Sequence, residues 1–434
     1  MAIQGPTNYV HPWPNYQVND LHQAMDYNTA GQPIIRVSTG STGTGNTVIN
    51  GNTGADAFGR TKVAEPFTLF DSQNRYVDGG QFASKSSGSA TVTYNVNGSN
   101  FSLAVTGNGD EIIRQSKTVQ MYQPGKSLQV LNTFAMATLA STLRQRVGYF
   151  TSGNGIYFEA DGTNLYMVIR SSVSGTVVNT RISQTDWNQD PFNGTGPSGI
   201  TLDPTKTQIF WMDIEWLGVG SVRTGFVING VFYICHVFNH ANDNTNVYMT
   251  TACLNCRYEI TSTGAAGTML QICSTVISEG GYNPSVNIDY VSNGTSVTRI
   301  GTGNTLTSLA SIRLNPNTPD AIVLPSQVDL LLLDVRYGEF RLIEGASNIP
   351  NSWTNSTSTV TQYQVHANTI TDGTLVYAGL TSSRDEVEIQ DAIRQRLQLK
   401  RNVDGTPTIL TLAVAYTQTN ADLLYKFGWE EVSS

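Results

Sequence analysis

Two histidines at His236-x-x-x-His240 precede a Cys253-x-x-Cys256 pair, and nitrogen and thiolate ligands at such spacings can build a tetrahedral zinc site. If both histidines lie in one strand, their even separation puts them on one face. Cys253 and Cys256 have opposite parity and would have to sit on a turn to converge. Isolated histidines and reduced thiols explain the same residues, so no zinc and no cofactor are expected. A second constellation is acidic. Asp213 and Glu215 alternate along one strand and Glu159 lies on another, so a sandwich could place carboxylates in a cleft as retaining glycosidases do. Asp213-Ile-Glu215-Trp216 supplies only a fragment of the longer Glu-x-Asp-x-x-Glu run of jelly-roll glycosidases, and a polar outer face accounts for the alternation. No hydrolase activity and no catalytic residue are expected. Aromatic residues near loops form the third group: Tyr157, Trp187, Phe192 and Trp353 could stack on pyranose rings. Of these, Trp187 and Phe192, inside the long loop Thr185 to Gly199, are the candidate glycan contacts.

The elements that must position these residues are strands. From about Ser84 to Gly280, runs such as RQRVGYF, GIYFEADG, NLYMVIRSS, TQIFWMDIEWLG, TGFVING and VFYICHVFNHA alternate apolar with polar residues, and turn signals including Asn229-Gly230 separate them. This is the pattern of an all-β, antiparallel, lectin-like jelly-roll sandwich, with Trp211, Trp216, Phe226 and Phe232 as its large core side chains. Residues 281–434 read as a second, C-terminal β-domain. Within it, Asp385 to Leu399 is the one helical candidate, with Val387, Ile389, Ile393 and Leu397 as buried positions, although Ile389 falls off a clean helical stripe.

Ahead of the sandwich lie two segments of different character. Residues 1–55 contain GSTGTGNTVINGNTG and read as an extended Gly/Thr-rich arm, either a flexible linker or a segment that orders on a partner subunit. Residues 56–83 read as an anchor. Phe58, Phe67, Leu69 and Phe70 are four large apolar side chains in a short stretch, and each is worth roughly 1.5–3 kcal/mol when buried. Threading into a neighbouring copy would use arm and anchor together, which points to a homo-oligomer; a trimer is the expectation, by analogy and not from the residues themselves. Cover from the chain's own sandwich is the alternative.

Composition bounds the partners. Of 434 residues, 39% are hydrophobic, ample for two or three domains, and only 13% are charged, which leaves a largely neutral, hydrogen-bonding surface suited to fibres and shells. The net charge of −8 carries no long basic run, so nucleic acid is not an expected partner. The strongest apolar run, Val328 to Val335, is strand-length, and no membrane partner is expected. The N-terminus lacks the charged and apolar regions of a signal peptide, so synthesis in a cytoplasm is expected.

Several long blocks resemble a family of virion structural proteins from marine and cyanobacterial tailed phages and giant algal viruses. They are Ala-Phe-Gly-Arg and Pro-Phe-Thr-Leu-Phe-Asp-Ser within Asp56 to Ser72, and Asp-Ile-Glu-Trp-Leu-Gly-Val-Gly and its neighbours within Arg144 to Tyr282. The resemblance implies a non-enzymatic subunit of a tail fibre, neck fibre or head decoration, located in the virion, with other virion proteins and itself as partners. It brings no functional residue with it. The alternative is a receptor- or glycan-binding module that contacts host surface polysaccharide around Trp187.

Overall fold

The structure is a computed structural model that describes residues 26–27, 33–34, 65–76, 79–301, 303–333, 337–381, 384–389, 396–417 and 420–432. The chain divides at Ala64: a first unit, Met1–Ala64, in which Asp26–Tyr27 pairs with Pro33–Ile34, and a second, Glu65–Ser434, which holds both β-domains. The 1–55 arm and Phe58 fall almost wholly outside the described residues.

Alternation dictates the first sandwich. In Asn100–Val105, Glu111–Ser116 and Leu128–Ala135 every second residue is buried, the period expected of a strand with one face on a core. Seven strands form one sheet in the order Val178–Ser183, Asn164–Ser171, Gly155–Asp161, Leu143–Phe150, Cys256–Ser262, Glu111–Ser116, Phe82–Ser87. The facing sheet runs Val231–Phe238, Val222–Ile228, Gln208–Ile214, Leu128–Ala135, Gly267–Ser278, Asn100–Val105, Thr91–Asn95, with Phe67–Ser72 also paired to Gly267–Ser278. All pairings are antiparallel, and the chain crosses between sheets as in a jelly roll. Phe134, Phe158, Phe210 and Phe226 meet between the sheets, with Phe158 edge-on to Phe226 at 5.3 Å between centroids.

Three of the four expected core residues lie outside the buried core between the sheets. Trp211 alternates with Phe210 and Met212, so when those enter the core Trp211 must point outward; it is covered there by Phe232, edge-on at 5.5 Å, and Phe232 itself is 48% exposed. Trp216 follows the end of its strand and is half-buried against Tyr122. Phe226 is in the core as expected.

The anchor belongs to its own sandwich. Phe67–Ser72 is a strand of the second sheet; Phe70 is buried edge-on to Phe82, Leu69 packs on the core, and the Phe67 ring stacks on Tyr282 at 5.1 Å. The sandwich therefore begins at Phe67 rather than Ser84. These three side chains find their cover within the chain, which removes the physical reason for a trimer threaded through them.

The C-terminal β-domain is a second two-sheet sandwich. One sheet runs Val286–Ser292, Ala421–Val432, Val323–Leu332, Arg384–Glu388, with Thr298–Ile300 beside Ala421–Val432; the other runs Thr354–Asn355, Thr361–Val365, Thr307–Leu314, Leu410–Tyr416, Gly338–Glu344, Thr374–Thr381. Their facing sides enclose Val328, Leu330, Phe340, Leu412, Phe427 and Trp429. The helical candidate is corrected: Arg384–Glu388 is a strand paired to Gln327–Leu331, and residues 390–395 lie outside the described residues. Ile389, just past the end of that strand, is buried. Ile322 and Leu324 pack with the core of the first sandwich, joining the two β-domains.

Candidate functional site

The densest gathering of chemistry-bearing side chains is on the outer face of the seven-stranded sheet. In Gly155–Asp161 the residues Ile156, Phe158 and Ala160 enter the core, so Tyr157 and Glu159 project outward; the same parity turns Arg146 and Phe150 outward from Leu143–Phe150, and Arg257 and Glu259 from Cys256–Ser262. Strand register then aligns Glu159, Arg146 and Glu259 in one transverse row across three neighbouring strands. Arg146 bridges the two acids, donating from Nε to Glu159 Oε2 at 2.6 Å and from Nη1 to Glu259 Oε2 at 2.9 Å. Arg257 closes the other side of Glu259, with Nε 2.7 Å from Oε1, and donates to Gln115 Oε1 at 2.8 Å. Arg181 Nε lies 2.8 Å from Glu159 Oε1, an ion pair off the hydrogen-bonding direction, and Arg181 also donates to Asp161.

The aromatic rings complete the face. Phe150 and Tyr157 are 4.6 Å apart, with the guanidinium of Arg170 5.1 Å from the Tyr157 centroid and that of Arg257 5.4 Å from the Phe150 centroid. Arg170 donates to Asn179 Oδ1, Thr151 O and the Tyr157 hydroxyl rather than to a carboxylate. Glycine permits the close approach: Gly155 has φ +147°, and a Cβ there would lie 2.0 Å from Phe150 Cβ. Glu159, Glu259, Tyr157 and Phe150 are all at least 95% buried, so this face is filled by its own side chains.

Electrostatics decide what the acids can do. Burial pushes the Glu259 carboxyl up, but the charges of Arg257 and Arg146 and their hydrogen bonds outweigh it and hold Glu259 below the ordinary range. Burial likewise opposes the Arg146 charge, and its two carboxylate partners more than restore it. A glycosidase needs one carboxyl kept protonated at working pH and a second free to attack or to activate water. Glu259 is held ionised, and both oxygens of each glutamate face guanidinium groups. The arrangement clamps three strands in register.

The other sequence candidates are dispersed. Asp213 alternates with the core residues Met212 and Ile214 and so lies on the outer face of the opposite sheet from Glu159, where it pairs with Arg223, its cross-strand neighbour. Glu215 lies beyond the strand end and is exposed, accepting from Ser221 N at 3.3 Å. Asp213 and Glu215 line one cleft beside Arg223 and Lys126, and Glu159, on the other sheet, has no part in it. Trp187 and Phe192 are corrected as glycan contacts: Trp187 is 4% exposed, edge-on to Phe158 and donating from Nε1 to Ile182 O at 3.2 Å, while Phe192 is fully buried and stacked on Phe226. The loop folds back and closes the end of the core. Tyr157 lies in the charged cluster, and Trp353 is half-buried with the Arg313 guanidinium 4.1 Å from its ring.

His236 and His240 do not share a strand, because Val231–Phe238 ends between them. His236 Nδ1 accepts from Asn188 N at 3.3 Å, and His240 donates to Gly220 O at 2.7 Å while stacking on Tyr248. Cys256 is in a core strand of the other sheet; all four cysteines are free, and burial pushes the Cys253 thiol up to about 11. Among the described residues no three His, Cys, Asp or Glu side chains are grouped to hold a metal.

Burial has a consequence for acid stability. It pushes His236 down to about 4 and lowers His240 and His366 as well. From pH 6.5 down to 5 the unfolded chain takes up protons that the folded histidines refuse, so stability must fall as pH falls through that window. His236 alone is expected to contribute about 1 kcal/mol of the loss after allowance for solvent screening. Melting temperature measured at half-unit pH steps checks this, and His236→Gln should flatten the curve. A flat wild-type profile between 6.5 and 5 would contradict it.

No protein-family profile and no curated protein matches the chain. Among solved structures it is similar to the CBM2 module of the evolved Dit of Lactobacillus casei BL23 phage J-1, at 6% identity and a TM-score of 0.32 over 51% of this chain and all of that one. It is also similar to a Bacteroides ovatus glycoside hydrolase of family 16 from a mixed-linkage glucan locus, at 8% identity and 0.31 over 48% and 99%. A legume lectin-like domain from Entamoeba histolytica matches at 11% identity and 0.29 over 46% and 91%. No helix among the described residues is long and apolar enough to cross a membrane.

Sequence reading missed Arg146, Arg170, Arg257 and Glu259. Their signal was present in RQRVGYF, YMVIRS and RYEI, where charged residues alternate with core positions. Only the pairing of strands more than a hundred residues apart turns that alternation into a cluster.

Proposed function

We propose that the chain is a non-enzymatic structural subunit of a virion appendage, a tail fibre, neck fibre or head decoration, that acts through its surfaces. The observation that carries the non-enzymatic reading is the transverse row Glu159–Arg146–Glu259, in which both acids of the charged face are held by arginine. The virion assignment is supported by the resemblance of the blocks within Asp56 to Ser72 and Arg144 to Tyr282. A glycan-contacting role is the second reading, and it must use a surface other than Trp187 and Phe192.

Incubation of purified full-length protein with polysaccharide from the host envelope tests the first part. No release of reducing ends is expected. Release of reducing ends that is abolished in Glu215→Gln protein, with an unchanged melting temperature, would overturn it.

A further inference from the structure

The segment that carries Gln398 and Arg401 leaves the C-terminal domain to dock on the first: Gln398 Nε2 donates to Val119 O at 3.0 Å, and Arg401 N donates to Lys117 O at 3.0 Å. Beside this contact lies a cleft of about 340 Å³ between the two sandwiches. Four cations line it, Lys85, Lys117, Arg257 and Arg401, against one carboxylate, Asp404. That balance stands out in a chain whose net charge is −8.

The cations are not equally satisfied. Glu259 neutralises Arg257 from behind, and Asp404 feels Lys85. Among the described residues, neither Lys117 nor Arg401 has an ion-pair partner. Arg401 is 93% buried and donates only to backbone carbonyls, at 3.0 Å to Gly405 and 2.7 Å to Thr318 as well as to Asn315, while its Nε has no hydrogen-bond partner. Asp320 supports the Arg401 charge electrostatically, but the guanidinium's hydrogen bonds go to carbonyls alone, and it forgoes the charge-assisted bonds that an oxyanion would supply. Gln115 and Asn255 place amides on the wall, and Leu399 and Val403 give it apolar stretches. Cations, amides and apolar patches together match the carboxylate or sulfate, hydroxyls and C–H faces of an acidic sugar, and the volume exceeds the need of a lone oxyanion.

We infer that the cleft between the two sandwiches binds an acidic saccharide of one or two units, with the anionic group directed to Arg401 and Lys117. The inference stands apart from the virion assignment, since it concerns only residues 85–405 and their charges.

Calorimetry on the full-length chain at low ionic strength, with digalacturonate, a sulfated heparin disaccharide, lactose and sodium sulfate as separate probes, tests it. At least one acidic disaccharide is expected to bind and to weaken as sodium chloride is raised. Lactose should not bind, and sulfate should bind at least tenfold more weakly than the disaccharide. Lys117→Glu, whose side chain lies outside the core, should reduce affinity at least tenfold with an unchanged melting temperature, and Lys85→Glu should do so less. The inference is overturned if neither acidic disaccharide binds, if lactose binds as well as they do, or if affinity survives Lys117→Glu. Sulfate binding as tightly as the disaccharide would overturn the saccharide and leave a site for free oxyanions. None of these outcomes depends on where the chain resides in a particle.

Discussion

Arg146→Met is expected to destabilise the folded chain by about 3–5 kcal/mol, the cost of leaving buried charges without their partner. The methionine keeps much of the side-chain volume, so the loss reports charge rather than a cavity. Glu159 would retain only Arg181, and Glu259 only Arg257. The effect should shrink as pH is lowered towards 4.5, because protonation relieves a carboxylate that has lost its guanidinium. Urea unfolding of wild type and variant at pH 7 and pH 4.5 makes the comparison. A loss below about 1 kcal/mol at pH 7 would mean that the row is a solvated surface pair and not a clamp.

Trp187→Ala is expected to cost about 3–5 kcal/mol as well, by the different mechanism of an unfilled cavity. Trp187 closes the core end against Phe158 and satisfies its indole N–H on Ile182 O. Removing the ring exposes Phe158 and frees the loop that also seats Phe192. A glycan contact at the surface would behave in the opposite way, with melting temperature preserved and sugar affinity lost. Thermal unfolding monitored by near-ultraviolet circular dichroism separates the two outcomes.

The architecture was legible in the sequence because period two is a local signal. Strands such as Asn100–Val105, Glu111–Ser116 and Leu128–Ala135 show their buried face in six to eight residues, and Asn229-Gly230 marks a hairpin, with Asn229 at φ 53° and Gly230 at φ 79°. The second β-domain was legible for the same reason. What failed was whatever depended on a partner strand. Asp385 to Leu399 mixes apolar spacings, and only the waiting edge of Val323–Leu332 decides that its start is extended. Trp187 and Phe192 sit in a polar loop, and nothing local shows that the loop folds inward onto Phe158 and Phe226. The anchor reading saw residues that need cover but not where the cover lies: Gly267–Ser278, two hundred residues away, supplies the edge that Phe67–Ser72 joins. The charged row has the same origin, since Arg146 and Glu259 meet only through sheet pairing. The cleft at Arg401 lies one level further from the sequence, since it needs two domains in place.

The central claim is that the chain is a stoichiometric part of a particle and works by contact. A density map of purified virions, reconstructed without imposed symmetry at the appendages and fitted with residues 65–432, tests it most directly. The paired sandwiches are expected to fit an appendage of the tail, neck or head, with the protein present in purified particles at a fixed ratio to the major shell protein. Particles that lack the chain altogether, with the protein recovered only from the lysate of infected cells, would contradict it.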